Sequence, residues 1–442
     1  MDNTDKPSIR AFWIATGLFV ISFINFFFKS GVFATSVPFD KIASEDSVSY
    51  LLSAKTLIET GRFTYFNPEV PSVFMMPGAV FAIAPFIITL GFKFAIPAFK
   101  IFQCILQILN IYLVGKIAAK TFRRKTSTIS MIVYALYLPC SAFTTYLYTE
   151  TLFTLSVLLL VYFTIIVLDE YSLKNWGAVA LIWGLSCLMR PTIAIYPLII
   201  VIMFFVKKYS WKQMASVTIL TSIIFSAVMA PWWIRNAITF ERFIPLTNSS
   251  GNPMWLGSNP NINLDQQILE GNYDNMVLNY AKDEMSENSR ELELAKENIR
   301  SYFHDDFTGA FFWFTLGKSM LQWSTPFISV TAYAENIAFE TYWAVALHLA
   351  IISGCILFVV METIKKRKRR KKNTNRIFIY TLILVFQSAH LPYYASARHM
   401  YPLMGLAIIL GVEGIIRFWK MNKKSFTPHT NLETTTVFKG VE

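Results

Sequence analysis

Long apolar runs alternate with short polar stretches along almost the whole chain. Runs that cover roughly 30 Å at about 1.5 Å per residue are candidates for helices crossing a bilayer. Ten qualify: 11–28, 98–118, 127–143, 151–168, 176–189, 192–206, 214–230, 342–361, 377–391 and 399–418. Several are short, and two lie back to back around Arg190-Pro191. The pattern predicts an all-α polytopic membrane protein, with four parts. These are an N-terminal transmembrane module (1–234) holding a first outer loop at 29–97, an extracytoplasmic loop (235–341), C-terminal transmembrane helices (342–424) and a disordered cytoplasmic tail (425–442).

Two apolar stretches fit better on the surface than across it. Residues 74–92 carry Pro77 and Pro85, and counting them as a span would put Arg123, Arg124 and Lys125 outside. Laid along the outer interface, they leave every basic loop inside: Arg123 to Lys125, Lys207-Lys208, 365–372, and Lys420, Lys423 and Lys424 of the tail. That is the distribution expected of cytoplasmic loops. Residues 311–327, interrupted by Lys318, are placed at the outer interface by the same reasoning. In the large polar segment, 248–260 is turn-rich, and 283–300 reads as a charged helix with Leu292, Ala295 and Ile299 on one face.

Composition agrees. The chain has 442 residues, 54% hydrophobic and only 15% charged, against about 25% charged in ordinary soluble domains. The net charge of +12 sits in the short loops and has no basic-aromatic interleaving, so nucleic acid is excluded as a partner. The 4 cysteines lie in or beside apolar runs, without disulfide or zinc spacing.

The expected topology gathers unusual polar groups on one side. In the first outer loop, Asp46, Tyr50, Ala54 and Leu57 recur at i, i+4, i+8 and i+11, one stripe of a helix. Glu150 opens the segment after the second outer loop, and Arg190 ends a helix before Pro191. Arg235 and Asn236 close the PWWIRN stretch, and Arg398-His399 sit in the last outer loop. A charge near hydrocarbon costs several kcal/mol unless it snorkels, pairs or serves a site. Guanidinium groups match phosphate oxygens, and a carboxylate opposite can take a proton from an attacking hydroxyl. A sugar carried on a polyprenyl phosphate needs both. Each residue also has a plainer reading: the arginines and Lys318 as interface anchors, and Glu150, Asp46 and Glu45 as helix-start charges. Asp40 rivals Asp46 as the base.

These residues resemble the GT-C superfamily of membrane glycosyltransferases. The likeness is to bacterial relatives of dolichyl-phosphate-mannose–protein mannosyltransferases and of lipid A aminoarabinose transferases. The carrying stretches are D-x-x-x-Y-x-x-x-A-x-x-L-x-x-x-G from Asp46 to Gly61, Met76-Pro77-Gly78 and Tyr148-Thr149-Glu150. Gly184-Leu185 with Arg190-Pro191, Pro231-Trp232 with Arg235-Asn236, Leu256 to Pro260, and Ala397-Arg398-His399 with Pro402 complete the series. The resemblance implies transfer from a polyprenyl-phosphate sugar to a glycan, lipid or protein hydroxyl at the outer face of the bacterial cytoplasmic membrane, usually with inversion. It implies Asp46 as general base with Glu150 in support, and Arg235, Arg398 and Lys318 on the donor phosphate; beside them, Arg190, Asn236, His399 and Tyr50 are candidates for binding donor phosphate or substrate. A divalent cation at Glu45 and Asp46 is carried by some relatives and not others. Two further readings stand beside it. A secondary transporter would show repeats and mid-membrane charges, and a surface-glycan polymerase or ligase would use similar arginines.

Overall fold

The structure, a computed structural model, describes residues 7–35, 46–262, 272–327, 338–365 and 373–425. Asp40, Glu45, the basic run at 366–372 and the tail from 426 lie outside them. Every regular element among the described residues is helical. Among the described residues, six helices are long and apolar enough to cross a membrane: Ile9–Lys29, Gly78–Thr121, Glu150–Asp169, Trp211–Phe240, Ala338–Thr363 and Ala397–Asn422. Leu173–Met189 and Pro191–Lys207 are shorter apolar helices. The apolar window of Ala397–Asn422 is 89% buried and that of Trp211–Phe240 only 11%, so the last helix is central and the other peripheral. Ile219, Ile223 and Ile238 stand exposed on the peripheral helix, as a lipid-facing surface requires.

Local chemistry sets the boundaries. Ser8 and Ser172 accept the first free backbone N–H groups of their helices, and Ser210 with Gln213 forms a capping box before Trp211. The run expected at 127–143 is split, because Pro139 starts a new short helix, Pro139–Phe143, after Arg124–Leu136. The helix expected to end at Ala230 continues to Phe240 with Pro231 inside it. Glycine governs two places. Gly91, at φ 75° and ψ 162°, bends Gly78–Thr121 so sharply that the Phe86 ring centre lies 5.7 Å from Phe99 and 5.4 Å from Phe102. In a straight helix residues that far apart would be about 20 Å distant. The limb before Gly91 thus folds back beside the limb after it. Near the last helix, a Cβ on Gly354 would come within 2.5 Å of the Gly411 carbonyl oxygen. Small residues let Ala338–Lys365 and Met404–Ser425 cross at backbone contact.

The bundle has two chemically distinct ends. At one, Lys120 pairs with Asp169, Asn375 donates to Asp169, and Thr126 and Arg417 both donate to Glu413. Arg123, Arg124 and Lys125 lie at this end in sequence, and Tyr209, next to Lys207-Lys208, donates to the Val167 carbonyl. At the opposite end lie the loops that carry Asp46, Glu150, Arg190 and Arg398. The polar segment covers that end: Asp283 caps helix Glu284–Asp305, and the Tyr394 N–H donates 2.6 Å to the Pro253 carbonyl.

Candidate active site

Four charged side chains from four separate segments meet in one cluster. Asp46 begins helix Asp46–Thr60, whose Tyr50 and Ala54 are buried while Leu57 packs against the core. Glu150 begins helix Glu150–Asp169, where the helix dipole favours a carboxylate. Arg190 ends Leu173–Met189 with extended backbone, φ −146° and ψ 131°, because the residue before a proline is pushed out of the helical region. That break swings its side chain out of the helix line. Ser396 accepts the Arg398 N–H and starts the short turn Ala397–Met400.

The geometry is closely paired. Arg398 Nη2 lies 2.7 Å from Asp46 Oδ2, and Arg398 Nε donates to Glu150 Oε1. Arg190 Nη2 donates to the same Glu150 oxygen at 2.6 Å, while its Nε donates to Thr149 Oγ1 at 2.8 Å. Tyr65 donates its hydroxyl to Asp46 Oδ1 at 2.6 Å. The Arg398 guanidinium also stacks over the Tyr148 ring, 4.3 Å from its centre. Glu150 is fully buried, whereas the Asp46 side chain keeps 30% of its exposure. Burial pushes the Asp46 carboxyl up. Arg398 and the Tyr65 hydroxyl outweigh it and hold the group below its ordinary value. Tyr50, by contrast, is pushed up by burial and by the Asp46 charge.

The remaining expected residues are elsewhere or beside the cluster. His399 stacks on His390, ring centres 5.0 Å apart, and its Nδ1 is buried without a partner. Both line a cavity of about 490 Å³ together with Arg190, Thr247, Ser250 and Tyr393. Arg235 donates to the Ser72 carbonyl at 2.8 Å and the Phe63 carbonyl at 3.0 Å, and Asn236 donates to the Ile244 carbonyl. Lys318 is buried, donating to the carbonyls of Leu391 at 2.6 Å and Tyr393 at 3.0 Å. In this structure those three side chains hold loops and do not touch the four-charge cluster. Sequence reasoning had no role for Tyr65 or Thr149. Thr149 adjoins Glu150 in a matched stretch and could have been found. Tyr65 lies in an aromatic run without any spacing signal.

Both Asp46 oxygens are engaged by Tyr65 and Arg398, and no group of three His, Cys, Asp or Glu able to hold a metal occurs among the described residues. Glu45 lies outside them.

Comparison with known proteins bears on this geometry. Residues 75–234 match the family model described as dolichyl-phosphate-mannose-protein mannosyltransferase. A search of curated protein sequences gives no significant match. Among solved structures, the fold is similar to the archaeal oligosaccharyltransferase AglB of Archaeoglobus fulgidus, in complex with an inhibitory peptide and a dolichol-phosphate. The TM-score is 0.50 at 10% identity, over 98% of this chain and 53% of that one. A second structure of the Archaeoglobus fulgidus oligosaccharyltransferase, tethered with an acceptor peptide, gives TM-score 0.51 at 13% identity, over 93% and 50%. ArnT from Cupriavidus metallidurans, bound to undecaprenyl phosphate, is a looser likeness: TM-score 0.43, 12% identity, 92% and 78%. The chain spans about half the length of the oligosaccharyltransferase structures it matches. Over residues 75–234 the chain is thus similar to that mannosyltransferase family, and its fold is similar to that of the oligosaccharyltransferase structures.

Proposed function

We propose that the protein transfers a sugar from a polyprenyl-phosphate donor to an acceptor hydroxyl at the outer face of the bacterial cytoplasmic membrane, with inversion. The observation that carries this reading is the Arg398 bridge between Asp46 and Glu150. Glu150 fixes two guanidinium groups at one depth, where they match phosphate oxygens in paired geometry. Asp46 is the partly exposed carboxylate of the set and takes the role of general base. Held down by Arg398, it is a weak base at rest. A donor phosphate competing for Arg398 loosens that hold and raises its basicity, so proton abstraction is tuned to donor occupancy.

Space for substrate adjoins the cluster. The cavity by Arg190 offers hydroxyls and imidazoles to a sugar or acceptor. A second, apolar cavity of about 550 Å³, lined by Trp323, Ile352, Ile356, Leu384 and Leu410, runs along the same helix, Thr374–His390. Its lining suits an isoprenoid chain. The dolichol-phosphate named with the similar oligosaccharyltransferase structure supports the donor class. The acceptor is a glycan, lipid or protein hydroxyl.

The test is binding of undecaprenyl phosphate to the purified protein in nanodiscs. Arg398→Ala is expected to weaken it by about tenfold or more, the equivalent of one charge-assisted hydrogen bond of about 1.5 kcal/mol or above. Equal affinity in wild type and variant overturns the assignment of Arg398 to the phosphate.

A further inference from the structure

Beneath Glu150 the bundle interior is unusually polar. Gln103, Gln107 and Asn110 recur at i, i+4 and i+7 on helix Gly78–Thr121, so they share one stripe. All three are fully buried, as are Ser130, Ser141, Thr151 and Thr154 on the neighbouring helices. Asn110 Nδ2 donates to Gln107 Oε1 at 2.9 Å and Gln103 Nε2 donates to the Tyr146 carbonyl. Those bonds satisfy only part of the set. Gln103 Oε1, Asn110 Oδ1, Thr151 Oγ1, Thr154 Oγ1 and Glu150 Oε2 are buried without a partner among the described residues, while the hydroxyls of Tyr134 and Tyr401 reach no closer partners than Gln107 and Cys140. The Cys140 thiol sits among Tyr134, Tyr401 and Gln107.

Leaving one such group unpaired costs about 1–3 kcal/mol, so each of them calls for a partner. A buried water makes about three hydrogen bonds to groups of this kind and needs a polar site. The mixture also suits water in particular: the amide and carboxylate oxygens need donors, and the threonine hydroxyls take either role.

We infer that the seam formed by Gln103, Gln107, Asn110, Thr151, Thr154 and Glu150 is a water-binding site inside the bundle, reaching from Glu150 toward Tyr134 and Cys140. Its waters donate to Glu150 Oε2, the oxygen that neither arginine engages, and so keep this carboxylate charged while Oε1 holds Arg190 and Arg398. Gln107 and Asn110 are positioning residues that act through those waters. The hydration does not depend on the reaction assigned to Asp46.

Radiolytic hydroxyl-radical labelling of the full chain in nanodiscs tests it, because radicals born from bound water mark the side chains beside it. Cys140, Tyr134 and Tyr401 are expected to label several-fold faster than Cys187 and Tyr196, which are equally buried but outside the seam. In Asn110→Leu, that excess is expected to fall. Labelling of Cys140, Tyr134 and Tyr401 in wild type at the rate of Cys187 and Tyr196 overturns the inference, and this comparison needs no variant to fold. An unchanged excess in a folded Asn110→Leu variant removes Asn110 from the site and overturns its part in the assignment.

Discussion

Arg398 stands 2.7 Å from Asp46, although the two side chains come from opposite parts of the chain. The contact closes the last helix onto the helix that follows the first span. It joins the group proposed as base to a group proposed to bind the donor. Each element of the site is therefore held by another, and disturbing one is expected to be felt at the rest.

Glu150 is the anchor of that arrangement. Glu150→Gln keeps the shape and removes the charge that two guanidinium groups share. Breaking one partner of a buried pair typically costs about 3–5 kcal/mol. The purified variant is expected to unfold at a lower temperature than wild type, and an unchanged melting point would show that Asp46 alone compensates the arginines.

Arg235 gives a contrasting case. Its donors are committed to the carbonyls of Ser72 and Phe63, which flank the loop carrying Tyr65. Arg235→Gln is expected to speed backbone amide exchange across residues 63–74 and to lower turnover through the Tyr65–Asp46 bond. Affinity for undecaprenyl phosphate stays as in wild type. Loss of that affinity with unchanged exchange would return Arg235 to the phosphate.

Glu284 adds a pH dependence. Its carboxyl is buried beneath the polar segment, where it accepts from the Ser72 hydroxyl at 2.6 Å and the Val73 N–H at 3.0 Å. Burial raises it from 4.5 to about 7, against the pull of those bonds and of Arg235. Between these two values the folded protein binds the proton that the unfolded chain has released, so stability falls as pH rises through this window. The contribution is complete below 4.5 and gone above about 7. Stability measured across the window is expected to slope less in Glu284→Gln than in wild type, and parallel curves would contradict this.

Gly78 fixes the approach of two site-bearing helices. A Cβ there would lie 2.6 Å from both the Leu188 carbonyl oxygen and the Met189 sulfur, immediately before Arg190. Gly78→Ala is expected to destabilise the protein by about 1–3 kcal/mol through overpacking. A chemical denaturation midpoint equal to that of wild type would show that the contact relaxes freely.

Much of this was legible in the sequence because its signals are local. Apolar run length marked the long apolar helices, six of them long enough to cross a membrane against the ten runs expected, and Arg190-Pro191 marked a helix break. The stripe from Asp46 through Tyr50 and Ala54 does bury its apolar members. What stayed hidden depends on through-space partners. Nothing in the spacing distinguishes Arg398, which reaches two carboxylates, from Arg235, which binds two carbonyls. Lys318 reads the same way in sequence whether it faces lipid phosphate or, as here, the carbonyls of Leu391 and Tyr393. The split at Pro139 and the fold-back at Gly91 depend on single backbone positions inside otherwise continuous apolar runs.

The most direct measurement is turnover of purified wild type and Asp46→Asn with a labelled undecaprenyl-phosphate sugar and a membrane acceptor fraction, alongside donor binding. The account predicts transfer by wild type, loss of about 100- to 10,000-fold in the variant, and donor binding retained. Transfer by Asp46→Asn at the wild-type rate would contradict it.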